Sequence, residues 1–227
     1  MVSRNLMIFW GVADFLLLAA GAVALALSIV WRSPNILMNM VLSNADLTAG
    51  TVLGIALLVT FVISIIAVVQ RNHVTLGFVI LNYALLLDAG AIVVIGTFVW
   101  FFTLRMRDNF RVLWEAATPE TRIFLQDQLQ CCGYFNGTDL PEIGGTFCTS
   151  QQVIDALPVD KETMTNFCVT PITKFADSTL NNIFTCVYGF MGIVLCLLLA
   201  TLCVIKKRQE DERFKRIDSK RGGRGFV

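Results

Sequence analysis

Two aspartates and a set of cysteines are the side chains in this sequence best placed to do chemistry. Asp14 and Asp88 each stand inside a long apolar run, and Cys131, Cys132, Cys148 and Cys168 share a polar insert. Two carboxyls held in hydrocarbon could relay protons, or could act as an aspartate pair that activates water. Either use asks for company. A relay needs a further ionisable group at mid-membrane, and the apolar runs supply none. A hydrolytic pair wants a richer setting than Asp88-Ala89-Gly90, and no Tyr-Asp dipeptide accompanies Asp14. His73 is the single histidine and lies in the polar turn Gln70-Arg71-Asn72-His73. With no second ligand close by it offers no metal site, and alone it completes no Ser/His/Asp or Cys/His set. No enzyme activity and no cofactor are expected.

A charged carboxylate at mid-membrane costs at least about 2.5–3.5 kcal/mol, so both aspartates should face the interior of a helix bundle. Their expected use there is hydrogen bonding between helices, typically worth under about 1–2 kcal/mol. Proton-coupled transport through Asp14 and Asp88 is the alternative. Spacing favours packing. Asp14, Gly21 and Ser28 fall seven residues apart, with Leu17 and Ala24 interleaved. Gly77, Ala84 and Ala91 repeat that spacing, with Leu81, Asp88 and Ile95 between them. Small residues at such intervals let helix backbones approach closely. Gly21, Gly77, Ala84 and Ala91 are therefore the expected packing positions, and Gly50 and Gly54 add a GxxxG pair.

The elements that must position these groups are four apolar runs. Of the 227 residues 56% are hydrophobic and 15% charged, too apolar for a soluble domain of that length. About 20 apolar residues span a bilayer. The spans fall at 6–31, 47–69, 74–102 and 183–205. They separate an N-terminus at 1–5, a small loop at 32–46, a turn at 70–73, a large loop at 103–182 and a tail at 206–227. The first run is too long for a signal peptide and ends at the interfacial pair Trp31-Arg32, before Pro34. The fold class expected is an all-α membrane protein: a bundle of four transmembrane helices with a disulfide-stapled, mostly helical large extracellular loop.

Charge sets the orientation. The tail carries nine Lys/Arg and four Asp/Glu, whereas the insert 103–182 carries six and ten. Cytoplasmic segments hold the Lys/Arg excess, which puts both termini and the Arg71 turn in the cytosol and both loops outside. The basic cluster is confined to the tail, which argues against nucleic acid as a partner. Four cysteines in an outer insert agree with an oxidising compartment and two bridges. Adjacent cysteines pair with each other only under strain, so Cys131 and Cys132 should each reach a distant partner. Either pairing with Cys148 and Cys168 is open from the residues alone.

Within the insert, Phe110, Leu113, Trp114 and Ala117 recur at helical spacing, so the third span should continue outward as a helix. Thr118-Pro119 reads as an N-cap followed by proline at N1, with a kink or restart there. The helix Pro119–Gln130 should place Ile123, Phe124 and Leu129 on or near one face, and Gly133 should end it. Short helices are expected at Gln151–Leu157 and Asp160–Cys168, with Pro171 opening another over Ile172–Asn182.

Four spans, a small and then a large outer loop, and Cys131-Cys132-Gly133 in the large loop together resemble a tetraspanin. Asp14 and Gly21, counted back from Trp31-Arg32, stand where that family usually has Asn and Gly. Asp88 stands where it has an acidic or amide residue. The resemblance implies the pairs Cys131–Cys168 and Cys132–Cys148, each contributing roughly 2–4 kcal/mol by restricting the unfolded loop. Departures are plain. Thr146-Phe147-Cys148 replaces the Pro-x-x-Cys of the loop, Ile66-Ala67-Val68-Val69 replaces Gly-Cys-Cys-Gly, and the fourth span has no central Glu or Gln. The small first loop and these departures make it similar to fungal tetraspanins of the type linked to host-penetration structures. Claudins and connexins carry cysteines in the first outer loop, which here has none.

Asn136-Gly137-Thr138 is the one N-x-S/T sequon and falls on the outer side, so Asn136 is the candidate glycan acceptor. Cys203, at the inner end of the fourth span beside the basic tail, is the palmitoylation candidate. Cys186 and Cys196 read as small hydrophobes. The expected function is a non-catalytic membrane organiser or scaffold, in the plasma membrane or an endosomal or vacuolar membrane. Its expected partners are membrane lipids, other membrane proteins held laterally and through the outer loop, and a homo-oligomer as a further option.

Overall fold

The computed structural model describes residues 4–33, 35–70, 76–157 and 166–220. In chain order the helices are α1 (Arg4–Val30), α2 (Ile36–Val41), α3 (Asn44–Val69), α4 (Leu76–Leu104), α5 (Met106–Ala116), α6 (Pro119–Leu129), α7 (Gln151–Asp155) and α8 (Val169–Lys220). Among the described residues there is no strand. Helices α1, α3, α4 and α8 are each long and apolar enough to cross a bilayer, so this is a multi-pass, all-α membrane protein. Pro34, the turn residues Arg71, Asn72 and His73, and most of the short helix expected over Asp160–Cys168 lie outside the described residues.

The chain forms two compact units. The first comprises residues up to Val30, Leu47–Gly96 and those from Cys186 onward. It is a helix bundle whose inward residues recur every three to four positions: Trp10, Ala13, Asp14, Leu17, Gly21, Ala24 and Ser28 on α1, and Leu53, Leu57, Thr60, Ser64 and Ala67 on α3. The opposite faces carry exposed Phe15, Val59, Ile66 and Leu87, as helices bathed in acyl chains should. Helices α1 and α3 meet where side chains are missing. A Cβ on Gly54 would lie 3.0 Å from the Leu25 backbone nitrogen, and one on Gly21 would lie 3.2 Å from the Gly54 carbonyl oxygen. Gly50 abuts the Ser28 hydroxyl.

On α4 the inward residues are Phe78, Leu81, Leu85, Asp88, Ala89, Ile92 and Gly96. Gly77 lies against Ala67, but Ala84 is half-buried and Ala91 exposed. The buried seam therefore runs one position away from the one expected through Ala84 and Ala91. Both candidate seams share Leu81 and Asp88, and the bulkier Phe78, Leu85 and Ile92 turn inward because they bury more apolar area than alanine does.

The second unit comprises Trp31–Asp46 and Thr97–Thr185. Here α4 does not run on into the loop. It stops at Leu104, Arg105 takes a non-helical conformation (φ −115°, ψ 24°), and α5 starts at Met106. Phe110 and Trp114 of α5 are buried, whereas Leu113 is exposed. Helix α6 starts as its capping residues dictate: the Thr118 hydroxyl accepts from the Thr121 amide and Pro119 occupies the first turn. It ends about where expected, at Leu129, but a different residue ends it. Gln130, in the left-handed region at φ 52°, terminates it, and Gly133 lies three residues further on. The buried face of α6 is also not Ile123, Phe124 and Leu129; it is Arg122, Leu125 and Gln126, with Phe124 exposed. Two polar groups turn inward because the loop that covers this face brings them partners. Helix α8 begins at Val169, before Pro171, whose missing N–H costs nothing in a first turn.

Candidate functional site

The disulfide unit is built on α5 and α6. Cys131 is bonded to Cys168 and Cys132 to Cys148, with Cα separations of 5.0 and 5.9 Å. All four cysteines are buried. The two bridges fix both ends of the segment after Gly133. Main-chain bonds reinforce them: the Cys132 amide donates to Asn166, the Cys168 amide to Gly133, and the Val169 amide to Tyr134. Gly133 is required at its position. Its φ is +68°, and a Cβ there would strike the Asn136 carbonyl oxygen.

Polar side chains of α6 then hold the covering loop. Gln126 accepts from the Glu142 amide at 3.1 Å and lies 2.8 Å, through Nε2, from the Cys148 sulfur. Arg122 pairs with Glu142 at 2.8 Å. Asp127 accepts from the Phe147 amide at 2.9 Å. That bond, aided by the Thr146 amide, holds the Asp127 carboxyl below the usual carboxylate range. Gly145 makes room for this carboxylate, since a Cβ there would collide with it. None of these three α6 residues stood out in the sequence. The one available signal was the i, i+4 spacing of Arg122 and Gln126 on a helix of known start.

At the centre of this unit the Tyr134 phenol donates to the Arg107 carbonyl oxygen at 2.7 Å, and its ring lies 5.9 Å from Trp114. Burial pushes its ionisation well above the ordinary phenol range, with the Asp108 charge adding to that shift. The group stays a neutral donor. Around this scaffold, Phe124, Leu140, Ile143 and Val153 are exposed at 48, 42, 49 and 38%. Asn136 is also exposed, and its side chain accepts from the Thr138 amide and hydroxyl at 3.0 and 2.8 Å.

In the bundle unit, Asp14 and Asp88 are both buried. Ser64 of α3 faces Asp14, and Thr60 of α3 faces Asp88. Thr60 and Ser64 are four residues apart, so the two carboxyls meet α3 at levels roughly 6 Å apart. Asp14 Oδ1, Ser64 Oγ and Asp88 Oδ2 have no hydrogen-bond partner. Near one end of α1 the Trp10 indole donates to Thr201 at 3.2 Å and packs edge-on against Phe78, over which Arg208 lies at 4.5 Å. Cys186, Cys196 and Cys203 are free thiols exposed on α8. Among the described residues no cluster of three or more His, Cys, Asp or Glu could hold a metal.

Comparison with family models, with curated proteins and with solved structures finds no match to this chain.

Proposed function

We propose that this chain is a tetraspanin-like, non-catalytic membrane organiser. It would hold partner membrane proteins through the stapled unit and laterally along its spans, with both termini cytosolic and the disulfides outside. The observation that carries this reading is the stapled unit itself. Two bridges and the α6 polar side chains hold a loop that leaves Phe124, Leu140, Ile143 and Val153 exposed. Exposed apolar groups on a rigid frame are what a protein-binding surface needs. The fungal, host-penetration setting implied by the resemblance belongs to the same proposal, as do a glycan on Asn136 and an acyl chain on Cys203.

The test replaces Phe124, Ile143 and Val153 together by serine in the full chain, expressed in its own cell type. Surface delivery and both disulfides should persist while crosslinked partner proteins are lost. An unchanged partner set would refute the reading.

A second reading, proton-coupled transport, is favoured by one observation: Asp14 and Asp88 each keep an unpartnered carboxyl oxygen at neighbouring levels of α3. Asp14→Asn with Asp88→Asn separates the two. An organiser keeps its partners, because an amide still hydrogen-bonds, whereas a carrier loses pH-driven uptake in proteoliposomes.

A further inference from the structure

The disulfide unit contains a cleft of about 600 Å³ that the partner surface does not use. It is lined from one side by the Arg105 pivot and the start of α5, from another by the first turns of α8, and by Phe135. Its charged groups are Arg105, Arg107 and Lys174, together with Asp108 and Asp177. All five are exposed, and among the described residues none of them makes an ion pair. Lys174 and Asp177 lie one turn apart on α8, as do Arg105 and Asp108 around the pivot, so each wall offers a cation beside a carboxylate.

The end of α4, which reaches the cleft at Thr103 and Leu104, carries exposed apolar side chains. Phe98, Trp100, Phe101 and Leu104 are 72, 50, 60 and 63% exposed. Tryptophan at the edge of an apolar span marks the membrane–water interface. The sequence passes from Phe102 to Arg105 within three residues, so the cleft opens at headgroup depth, against the acyl-facing surface of the same unit.

We propose that this cleft binds the headgroup of a zwitterionic glycerophospholipid of the phosphatidylethanolamine class. Arg105, Arg107 and Lys174 take the phosphate. Arginine matches its oxygens with a planar fork of donors, and lysine adds a compact charge. Asp108 and Asp177 accept from the primary amine. The acyl chains run down the exposed aromatic face from Leu104 to Phe98. A ligand with only a phosphate leaves both carboxylates unanswered and adjacent to an anion, and a ligand without acyl chains forgoes the apolar face. Charge placement of this kind decides which partner is accepted. The inference is independent of the scaffolding role, since a chain that gathers no partner proteins could still hold this lipid.

The experiment uses the purified full chain in mild detergent, titrated with palmitoyl-oleoyl phosphatidylethanolamine, with the matching phosphatidylglycerol and with inorganic phosphate. Bound lipid is counted by native mass spectrometry. Phosphatidylethanolamine should be retained at least about tenfold better than phosphatidylglycerol, and phosphate at millimolar concentration should not displace it. Arg105→Glu with Lys174→Glu should lower retention of phosphatidylethanolamine about tenfold. Asp108→Asn with Asp177→Asn should instead abolish the preference over phosphatidylglycerol. Non-reducing proteolysis of each variant checks that both disulfides and the unit survive. Equal retention of the two lipids by the native protein, which requires no variant, overturns the proposal. So does displacement by phosphate, which would make the site one for a free anion, and so does charge-reversed protein that keeps its lipid.

Discussion

The Tyr134 phenol donates a 2.7 Å hydrogen bond to the main-chain oxygen of Arg107. One end of that bond sits two residues past Cys132, and the other is the second residue of α5, just beyond the Arg105 break. It ties the cysteine-bearing strip to the pivot at which the chain leaves its apolar span. Tyr134→Phe keeps the ring against Trp114 and removes only the donor, leaving a carbonyl without that partner. The expected loss is about 1 kcal/mol. Thermal melting followed by tryptophan fluorescence would read it, and an unchanged melting point would count against the bond's role.

Helix approach in the bundle gives a sharp contrast between two glycines. Gly54 faces Leu25 with no room for a methyl group, whereas Gly90 has nothing within 4 Å of an added Cβ. Gly54→Ala should destabilise the bundle by about 1–3 kcal/mol, the usual cost of overpacking. Gly90→Ala should be neutral or stabilise by up to about 1 kcal/mol, through helix propensity alone. Aggregation-onset temperatures in detergent should place Gly54→Ala below the native protein and Gly90→Ala level with it or above.

Asp127 should make the disulfide unit sensitive to acid. Its carboxyl is held below the ordinary value by the Phe147 and Thr146 amides. A group whose ionisation is depressed on folding contributes stability above its unfolded pKa, about 3.9, and loses that contribution as pH falls through the lower folded value. Native protein should therefore exceed Asp127→Asn in melting temperature at about pH 6, and the gap should shrink as pH falls below the ordinary carboxylate range and close only below the lowered folded value. A gap that did not depend on pH would show that the carboxylate charge is not what holds the loop.

Two modifications follow from the proposed orientation. A glycosidase should shift the native protein on a gel and leave Asn136→Gln unmoved. Hydroxylamine-sensitive acyl labelling should be present in the native protein and absent in Cys203→Ser. Failure of the glycan shift alone leaves the scaffold intact, whereas glycosylation of a tagged tail would reverse the topology.

Much of the architecture was legible in the residues, because bilayer-length apolar runs leave a backbone no alternative to helix. The restart at Thr118-Pro119 was legible for the same kind of reason: an N-cap and a proline at N1 act through local geometry. The inward face of α1 followed from the sevenfold spacing of Asp14, Gly21 and Ser28. The face of α4 did not. A repeat read through Gly77, Ala84 and Ala91 differs by one position from one read through Phe78, Leu85 and Ile92, and periodicity alone does not separate them.

What the sequence determined by itself was therefore whatever a single segment settles: four membrane helices, an insert rich in cysteine, and the start of α6. What only the tertiary structure decided was whatever needed a distant partner. The residues alone left two disulfide pairings open, and chain contacts chose Cys131 with Cys168 and Cys132 with Cys148. Arg122 and Gln126 turn inward because Glu142 and Cys148 meet them there. Gly133 is needed for the tight turn onto Asn136, not as the end of a helix. Arg105 shares one cleft with Lys174 and Asp177 although about 70 residues separate it from them in the chain, because helix α8 returns beside the end of α4 within the same unit. Local sequence sets which elements form, and long-range contacts set which of their faces are used.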